Sequence, residues 1–372
     1  MTNFYCSAIH HNVRIEGNTV SGIKILPCCV YKTNNVYPTL EQYHSSLELQ
    51  NLKKATEWPD GCISCAQQEQ QNQTSLRNHC NAQWPDSTKE YGTRFELFPS
   101  NVCNLKCLMC SPVSSTALAQ ERQVIDQTDN NYVKEFNITD DCIDIIKSAD
   151  NIESISVMGG EFFLTKGNLQ IMDFVIEKNI PFRVVTNGTV ILASHIEKLK
   201  KIPKLELQIS VDGIETSYEF MRYPAKWNTF ESNVKVLLKE LQPSRSNFHF
   251  VVQTLNVQNL VPTLDYLNRY KIKTRITNLT LPTWLSWTIL NDQEKYDMVK
   301  LLTQQINQYN ITSTQKTFVI DLSQTILNTQ FNSQIRNKFI VDMRQIIQHR
   351  KLSIDAIEKQ LGILTELRGV LI

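Results

Sequence analysis

From Arg94 onward the apolar positions switch repeatedly between a period of two and a period near 3.6. Short runs rich in β-branched and aromatic residues, "RFELFPS" (94–100), "SISVM" (154–158), "FRVVT" (182–186), "LELQISVDG" (205–213), "FHFVVQT" (248–254) and "TRITNL" (274–279), predict strands. Between them, helical spacing predicts helices over 140–150, 168–178, 190–201, 229–241 and 258–270. Thr139 is the expected cap of the first, with Cys142, Ile145 and Ile146 on one apolar face. Strands separated by helices imply crossover connections and a parallel sheet, either open and doubly wound or wound as a partial barrel. Beyond Pro282 the pattern is helical, over 291–309, 322–348 and 353–368, and its amphipathic stretches are expected to cover the flank of the sheet. Docking of a partner is the lesser reading of that tail.

Composition changes this picture little. The 372 residues are 41% hydrophobic and 20% charged with a net charge of +1, so the balance favours neither nucleic acid nor an anionic membrane as partner. No basic run or added RNA-binding module is visible. There is no run of eighteen apolar residues, and "MTNFYCSAIHHNVRIEG" lacks the pattern of a signal peptide, which predicts a cytoplasmic protein. In that reducing compartment ten cysteines speak for metal binding or catalysis rather than disulfides. They are unevenly placed: Cys6, Cys28, Cys29, Cys62, Cys65 and Cys80 precede the cluster at Cys103, Cys107 and Cys110, and only Cys142, read as a small core residue, follows. The glutamine-rich 67–73 reads as a solvated loop, the tryptophans of "LPTWLSWTIL" as core, and His44 and His349 carry no assigned chemistry.

"CNLKCLMC" supplies three soft ligands from one tight loop, where a closed zinc site or an inert cluster uses four. A cubane held here keeps one iron open to a substrate or cofactor; a zinc site completed from elsewhere is the bland alternative. The motif resembles that of the radical S-adenosylmethionine (SAM) enzymes, with Met109 in place of the usual aromatic before the last cysteine. In that family the three cysteines bind a [4Fe–4S] cluster, SAM chelates the fourth iron, and reductive cleavage of SAM yields a 5′-deoxyadenosyl radical that abstracts hydrogen from the substrate. Three further segments keep the family's order, each after a predicted strand. "MGGEFF" resembles the motif whose glycines and carboxylate (Gly159, Gly160, Glu161) hold the SAM amino group, while "VVTNGT" and "ISVDG" place Asn187, Ser210 and Asp212 near SAM or substrate. Arg222 of "YEFMRYPAKW" is a candidate carboxylate clamp, and Gln253 a weaker candidate for the ribose or adenine. A strand-ending turn or a surface arginine is the plain reading of each segment alone.

The earlier cysteines resemble an auxiliary-cluster module of that family, twitch, a shortened relative of SPASM. Cys6, a hairpin ending in Cys28 or Cys29, and the CxxC pair Cys62/Cys65 would be its four ligands, with Cys80 in reserve and "QTSLRNHCN" as its helical end. The best-known members carry the module after the barrel, whereas here it comes first. On spacing alone, four such cysteines suit a structural zinc equally.

The expectation is therefore an α/β chain with a TIM-like partial (βα)6 barrel over 91–281, a cysteine-rich module over 1–90 and a helical cap over 282–372. The resemblance implies SAM, two [4Fe–4S] clusters and an external electron donor of flavodoxin or ferredoxin type. Its substrate would be a peptide, crosslinked or oxidised during maturation, or a small metabolite such as a sugar, amino acid or nucleotide-like compound. The absence of a cysteine after Cys142 disfavours epimerisation. A non-enzymatic, zinc-stapled binding protein is the alternative of a different class.

Overall fold

Eight strands organise the computed structural model, which describes residues 4–18, 22–70, 74–84, 91–127 and 134–371. They are β1 (Asn12–Asn18), β2 (Gly22–Leu26), β3 (Arg94–Phe98), β4 (Ser154–Val157), β5 (Phe182–Thr186), β6 (Leu205–Ser210), β7 (Ser246–Val252) and β8 (Lys273–Asn278). The chain divides into two compact units, one made of 1–102, 134–185 and 197–206, the other of 103–133, 186–196 and 207–372.

In the first unit the strand order is β2-β1-β3-β4-β5. Only the β1–β2 hairpin is antiparallel, with Arg14 opposite Leu26. β1 runs parallel to β3, Asn12 against Arg94, so the hairpin lies beside the first predicted strand and extends its sheet. β3 pairs with β4, and β4 with β5, both parallel. In the second unit β6, β7 and β8 pair parallel in chain order. A doubly wound sheet reverses its strand order at a switch point. From β3 onward neither unit reverses, which is the winding of a barrel. The α/β class, the parallel sheet and the helical C-terminal region are those expected.

Alternation along the strands separates an apolar face from a polar one. Val13 and Ile15 of β1 and Phe95 and Leu97 of β3 are buried, while Glu16 and Glu96 are half-buried on the other face and pair there with Arg14. On β7, Phe248, Phe250 and Val252 are buried and Asn247 and His249 half-buried. Parallel strands packed apolar on both sides read as continuous hydrophobic runs. A polar second face is what a barrel that receives a ligand needs.

Several helices differ from expectation in their ends. The first begins at Thr139, but the capping oxygen belongs to Asn137, whose Oδ1 accepts from the Thr139 N–H at 3.1 Å. Residues 67–70, expected as loop, finish the helix Ile63–Gln70, while 71–73 lie outside the described residues. The span 322–348 is two helices, Ser313–Asn328 and Ser333–Arg350, because Asn332 caps the second through the N–H groups of Gln334 and Ile335. Gly362, at φ +47°, divides the last stretch into Ile354–Leu361 and Thr365–Leu371. These C-terminal helices share a core with Val252, Leu264, Trp284 and Trp287, against which Leu108 and Met109 of the cysteine loop also pack.

Candidate functional site

The cysteine loop of the second unit is fixed by backbone and side-chain bonds at both ends. Ser115 Oγ donates to the Leu105 carbonyl at 2.7 Å, and the Cys103 N–H donates to Thr116 Oγ1 at 3.3 Å. On either side of Cys107, the Lys106 N–H donates to the Tyr223 carbonyl at 2.6 Å and the Leu108 N–H to the Met221 carbonyl at 3.0 Å. The loop is thereby laddered to the segment carrying Arg222.

The three thiols lie within electrostatic reach of one another. Burial pushes the Cys107 thiol up to about 12, against the pull of Arg222, and desolvation with the neighbouring thiols lifts Cys110 higher. A raised thiol keeps its proton until a metal binds, and the metal's charge then takes the proton's place. Among the described residues no three His, Cys, Asp or Glu side chains converge as a single metal ion requires. A cubane asks for a wider set, since each thiolate bonds a different iron. The triad fits a [4Fe–4S] cluster on its ligand chemistry and its spacing in one loop, with Cys107 buried and Cys103 and Cys110 half-buried.

Asn187, after β5, sits over this loop. Its Nδ2 donates to Asn104 Oδ1 at 2.9 Å and lies 4.0 Å from Cys103 Sγ, while its Oδ1 accepts from the N–H and hydroxyl of Thr189. Asn104 Nδ2 closes the ring on Thr189 Oγ1 at 2.9 Å. Asn104 and Thr189 were not singled out in the sequence; the signal was an amide directly after the first cysteine and a hydroxyl after "NG". Ser210 is half-buried at the end of β6.

Asp212 and Arg222 form a buried ion pair, Nη2 to Oδ2 at 2.5 Å, with side chains 0% and 9% exposed. Asp212 Oδ1 also accepts from the Val251 N–H at 2.8 Å, and Arg222 Nη1 lies 3.9 Å from Cys107 Sγ. Burial lifts the Asp212 carboxyl above its usual range, offset in part by Arg222 and the Val251 N–H. Arg222, the candidate carboxylate clamp, directs Nη2 at Asp212 and Nη1 toward Cys107 Sγ. Gln253 is 1% exposed. Its Oε1 accepts from the Leu255 N–H at 2.7 Å and its Nε2 approaches Met221 Sδ at 3.5 Å, so its amide serves the local turn.

A cavity of about 540 Å3 opens beside this loop, lined among others by Met109, Cys110, Arg122, Trp284, Asp342 and Arg350. None of the residues expected to contact SAM lines it.

In the first unit, Gly159 and Gly160 follow β4 at φ +91° and +55°. A Cβ on Gly159 would fall 1.6 Å from the Phe98 ring, and one on Gly160 2.4 Å from the Val102 carbonyl, so both positions exclude a side chain. The Glu161 N–H donates to that same Val102 carbonyl at 2.7 Å, and Val102 immediately precedes Cys103 in the chain. The Glu161 carboxylate, buried, accepts from the Phe163 N–H at 3.3 Å.

The N-terminal cysteines fall into two groups. Cys6, Cys28, Cys62 and Cys65 line one small, otherwise largely apolar cavity with Phe4, Trp58 and Arg77. Burial raises the Cys6 and Cys28 thiols and pushes Cys62 up to about 12. Cys29 is exposed and outside that cavity, beside Arg14 and Glu96. Cys80 is buried on the helix Leu76–Gln83 and also outside it. That helix anchors the Cys6 segment: Arg77 Nη1 and Asn81 Nδ2 donate to the Tyr5 carbonyl at 2.9 and 3.0 Å, and the Ser7 N–H donates to Asn81 Oδ1 at 2.8 Å. Arg77 and Asn81, one helical turn apart, are further residues that the sequence alone did not mark.

Solved structures resemble the chain at low identity. Native anSMEcpe with bound AdoMet is 20% identical with a TM-score of 0.42, over 57% of this chain and 60% of that one. Streptococcus suis SuiB bound to precursor peptide SuiA is 16% identical with a TM-score of 0.44, over 76% and 56%. Methylornithine synthase (PylB) is 10% identical with a TM-score of 0.37, over 50% and 53%. The chain thus spans between about half and three fifths of the length of these structures. No curated protein matches it. No helix among the described residues is long and apolar enough to cross a membrane. The segment that carries the triad, the two glycines, Asn187 and the Asp212–Arg222 pair is matched, over residues 97–267, by one family description, the Radical SAM superfamily.

Proposed function

We propose that this protein is a radical SAM enzyme that reductively cleaves S-adenosylmethionine and uses the 5′-deoxyadenosyl radical to abstract hydrogen from its substrate. The observation that carries this reading is the triad itself: Cys103, Cys107 and Cys110, three thiols of one braced loop within the segment 97–267. When bound, the cluster supplies the single electron and the open coordination position that this cleavage needs. In the first unit Gly159 and Gly160 supply side-chain-free backbone and Glu161 a carboxylate suited to an ammonium; in the second, Asn187 and Ser210 supply polar groups at strand ends, and each is a group of the kind that SAM binding calls for. Asp212, Arg222 and Gln253 support it by positioning, since the Asp212 carboxylate, the two Arg222 Nη groups and the Gln253 amide are engaged within the protein.

Cys6, Cys28, Cys62 and Cys65 are proposed as ligands of an auxiliary [4Fe–4S] cluster in a twitch-like module over 1–90, a four-thiolate site that would relay electrons or staple the fold. Zinc, which the spacing alone would equally suit, would need these thiols to draw closer, since no three metal-ligating side chains among the described residues converge as a single ion requires. The proposed setting is the cytoplasm, with a flavodoxin or ferredoxin as donor. The substrate is proposed to be a peptide undergoing maturation. A small metabolite is favoured instead by the cavity of about 540 Å3 beside Cys110, a volume usual for small-molecule sites.

The test is anaerobic. Reconstituted protein reduced with dithionite should release 5′-deoxyadenosine from SAM, and Cys107→Ala should abolish it; undiminished product from that variant rejects the assignment. Iron, sulfide and zinc contents separate two clusters from one cluster and a zinc.

A further inference from the structure

We propose that Arg222 is a positioning residue that sets the reduction potential of the cluster held by the triad, with Asp212 as its counterweight; this rests on the radical SAM reading above. Two backbone bonds, Lys106 N–H to Tyr223 O at 2.6 Å and Leu108 N–H to Met221 O at 3.0 Å, bracket Cys107 and Arg222. The register therefore sets a permanent cation opposite the middle cysteine of the loop. Nη1 of that cation lies 3.9 Å from Cys107 Sγ. Its Nε–H, also buried, has no partner among the described residues.

The pair is enclosed, so the charge acts through protein rather than water, where its effect on a neighbouring electron is largest. A cation and N–H donors next to a cluster sulfur favour the state with one more electron and raise the potential. Asp212 works in the opposite sense. Its carboxylate, 0% exposed, is pinned by the Arg222 Nη2 at 2.5 Å and by the Val251 N–H at 2.8 Å, and its own carbonyl accepts from Asn256 Nδ2 at 3.2 Å. It fixes the direction of the fork and cancels part of its charge. A clamp for a SAM carboxylate would need the fork free. Here one arm is on Asp212 and another faces Cys107.

The two roles separate in protein that has not met SAM. The full chain, reconstituted anaerobically, is titrated potentiometrically and followed by electron paramagnetic resonance. The relevant cluster is identified as the one whose signal changes when SAM is added to a parallel sample. Arg222→Gln should shift its midpoint to more negative values, Arg222→Lys should restore part of the shift, and Asp212→Asn should shift it to more positive values. Wild-type midpoints in Arg222→Gln and Asp212→Asn overturn the inference. So does weakened SAM affinity with an unchanged midpoint, which returns Arg222 to the clamp role. Should Arg222→Gln fail to assemble the cluster, Asp212→Asn decides: a positive displacement supports the inference and an unmoved midpoint overturns it. A wild-type protein without any SAM-responsive signal overturns the radical SAM reading itself, and this inference with it.

Discussion

Arg350 ends the helix Ser333–Arg350 in a buried bidentate pair with Glu121, and the two side chains are 1% and 0% exposed. Nε reaches Oε1 at 3.0 Å and Nη2 reaches Oε2 at 2.6 Å, while Nη2 also donates to the Lys106 carbonyl at 2.6 Å. Truncation by Arg350→Met removes all three bonds and strands a carboxylate out of water. Breaking a buried pair from one side costs about 3–5 kcal/mol. Lys106 Nζ, 3.6 Å from Glu121, remains as partial compensation, which places the expected loss near the lower end, about 3 kcal/mol. Urea unfolding followed by tryptophan fluorescence reads that loss as a lower midpoint. The double variant Arg350→Met/Glu121→Leu should recover at least about half of it, because a buried pair returns little more than its desolvation costs. Since the Lys106 carbonyl abuts Cys107, the single variant should also bind less iron at the triad. A loss below about 1 kcal/mol, or a double variant no more stable than the single, would refute the reasoning.

Gly160→Ala places a Cβ 2.4 Å from the Val102 carbonyl at φ +55°; with a left-handed penalty of about 1 kcal/mol on top of the clash, SAM affinity in equilibrium dialysis should fall at least about tenfold. Arg77→Met combined with Asn81→Ala frees the Cys6 segment and should empty the N-terminal metal site while the triad keeps its iron; equal loss from both sites would sink that view. Burial alone would raise the Glu48 carboxyl, but bonds from Asn35, Thr33, Tyr37 and Tyr31 outweigh it, so the folded value is depressed. Its stabilisation is therefore present above the ordinary carboxylate range and disappears as pH falls through the folded value. Acid unfolding followed by circular dichroism should become less steep in Glu48→Gln, and an unaltered acid limb would count against it.

Strands β3 to β8 were readable because each is a short apolar alternation, and the helices between them because their apolar period changes. The split of the tail at Thr329–Asn332 was missed because the apolar period runs on through it; only the capping asparagine betrays it. The pairing of β1 with β3 was not legible, since partners 82 residues apart in sequence leave no local pattern. At the site, residue types and order pointed to the triad, the glycines and Asn187. What Arg222 touches depends on the register between 106–108 and 221–223, which no spacing in the chain encodes.

That same β1–β3 pairing has a consequence for how the chain is made. β1 leaves the ribosome first, but the strand it must lie against follows 82 residues later, about 4–16 s at ordinary rates of synthesis. During that interval the hairpin can close on β2 alone, and a two-stranded hairpin by itself is at best marginally stable in water. Until residue 98 has been translated β1 lacks that partner, and during this interval the hairpin is exposed to sticking, cleavage or chaperone capture.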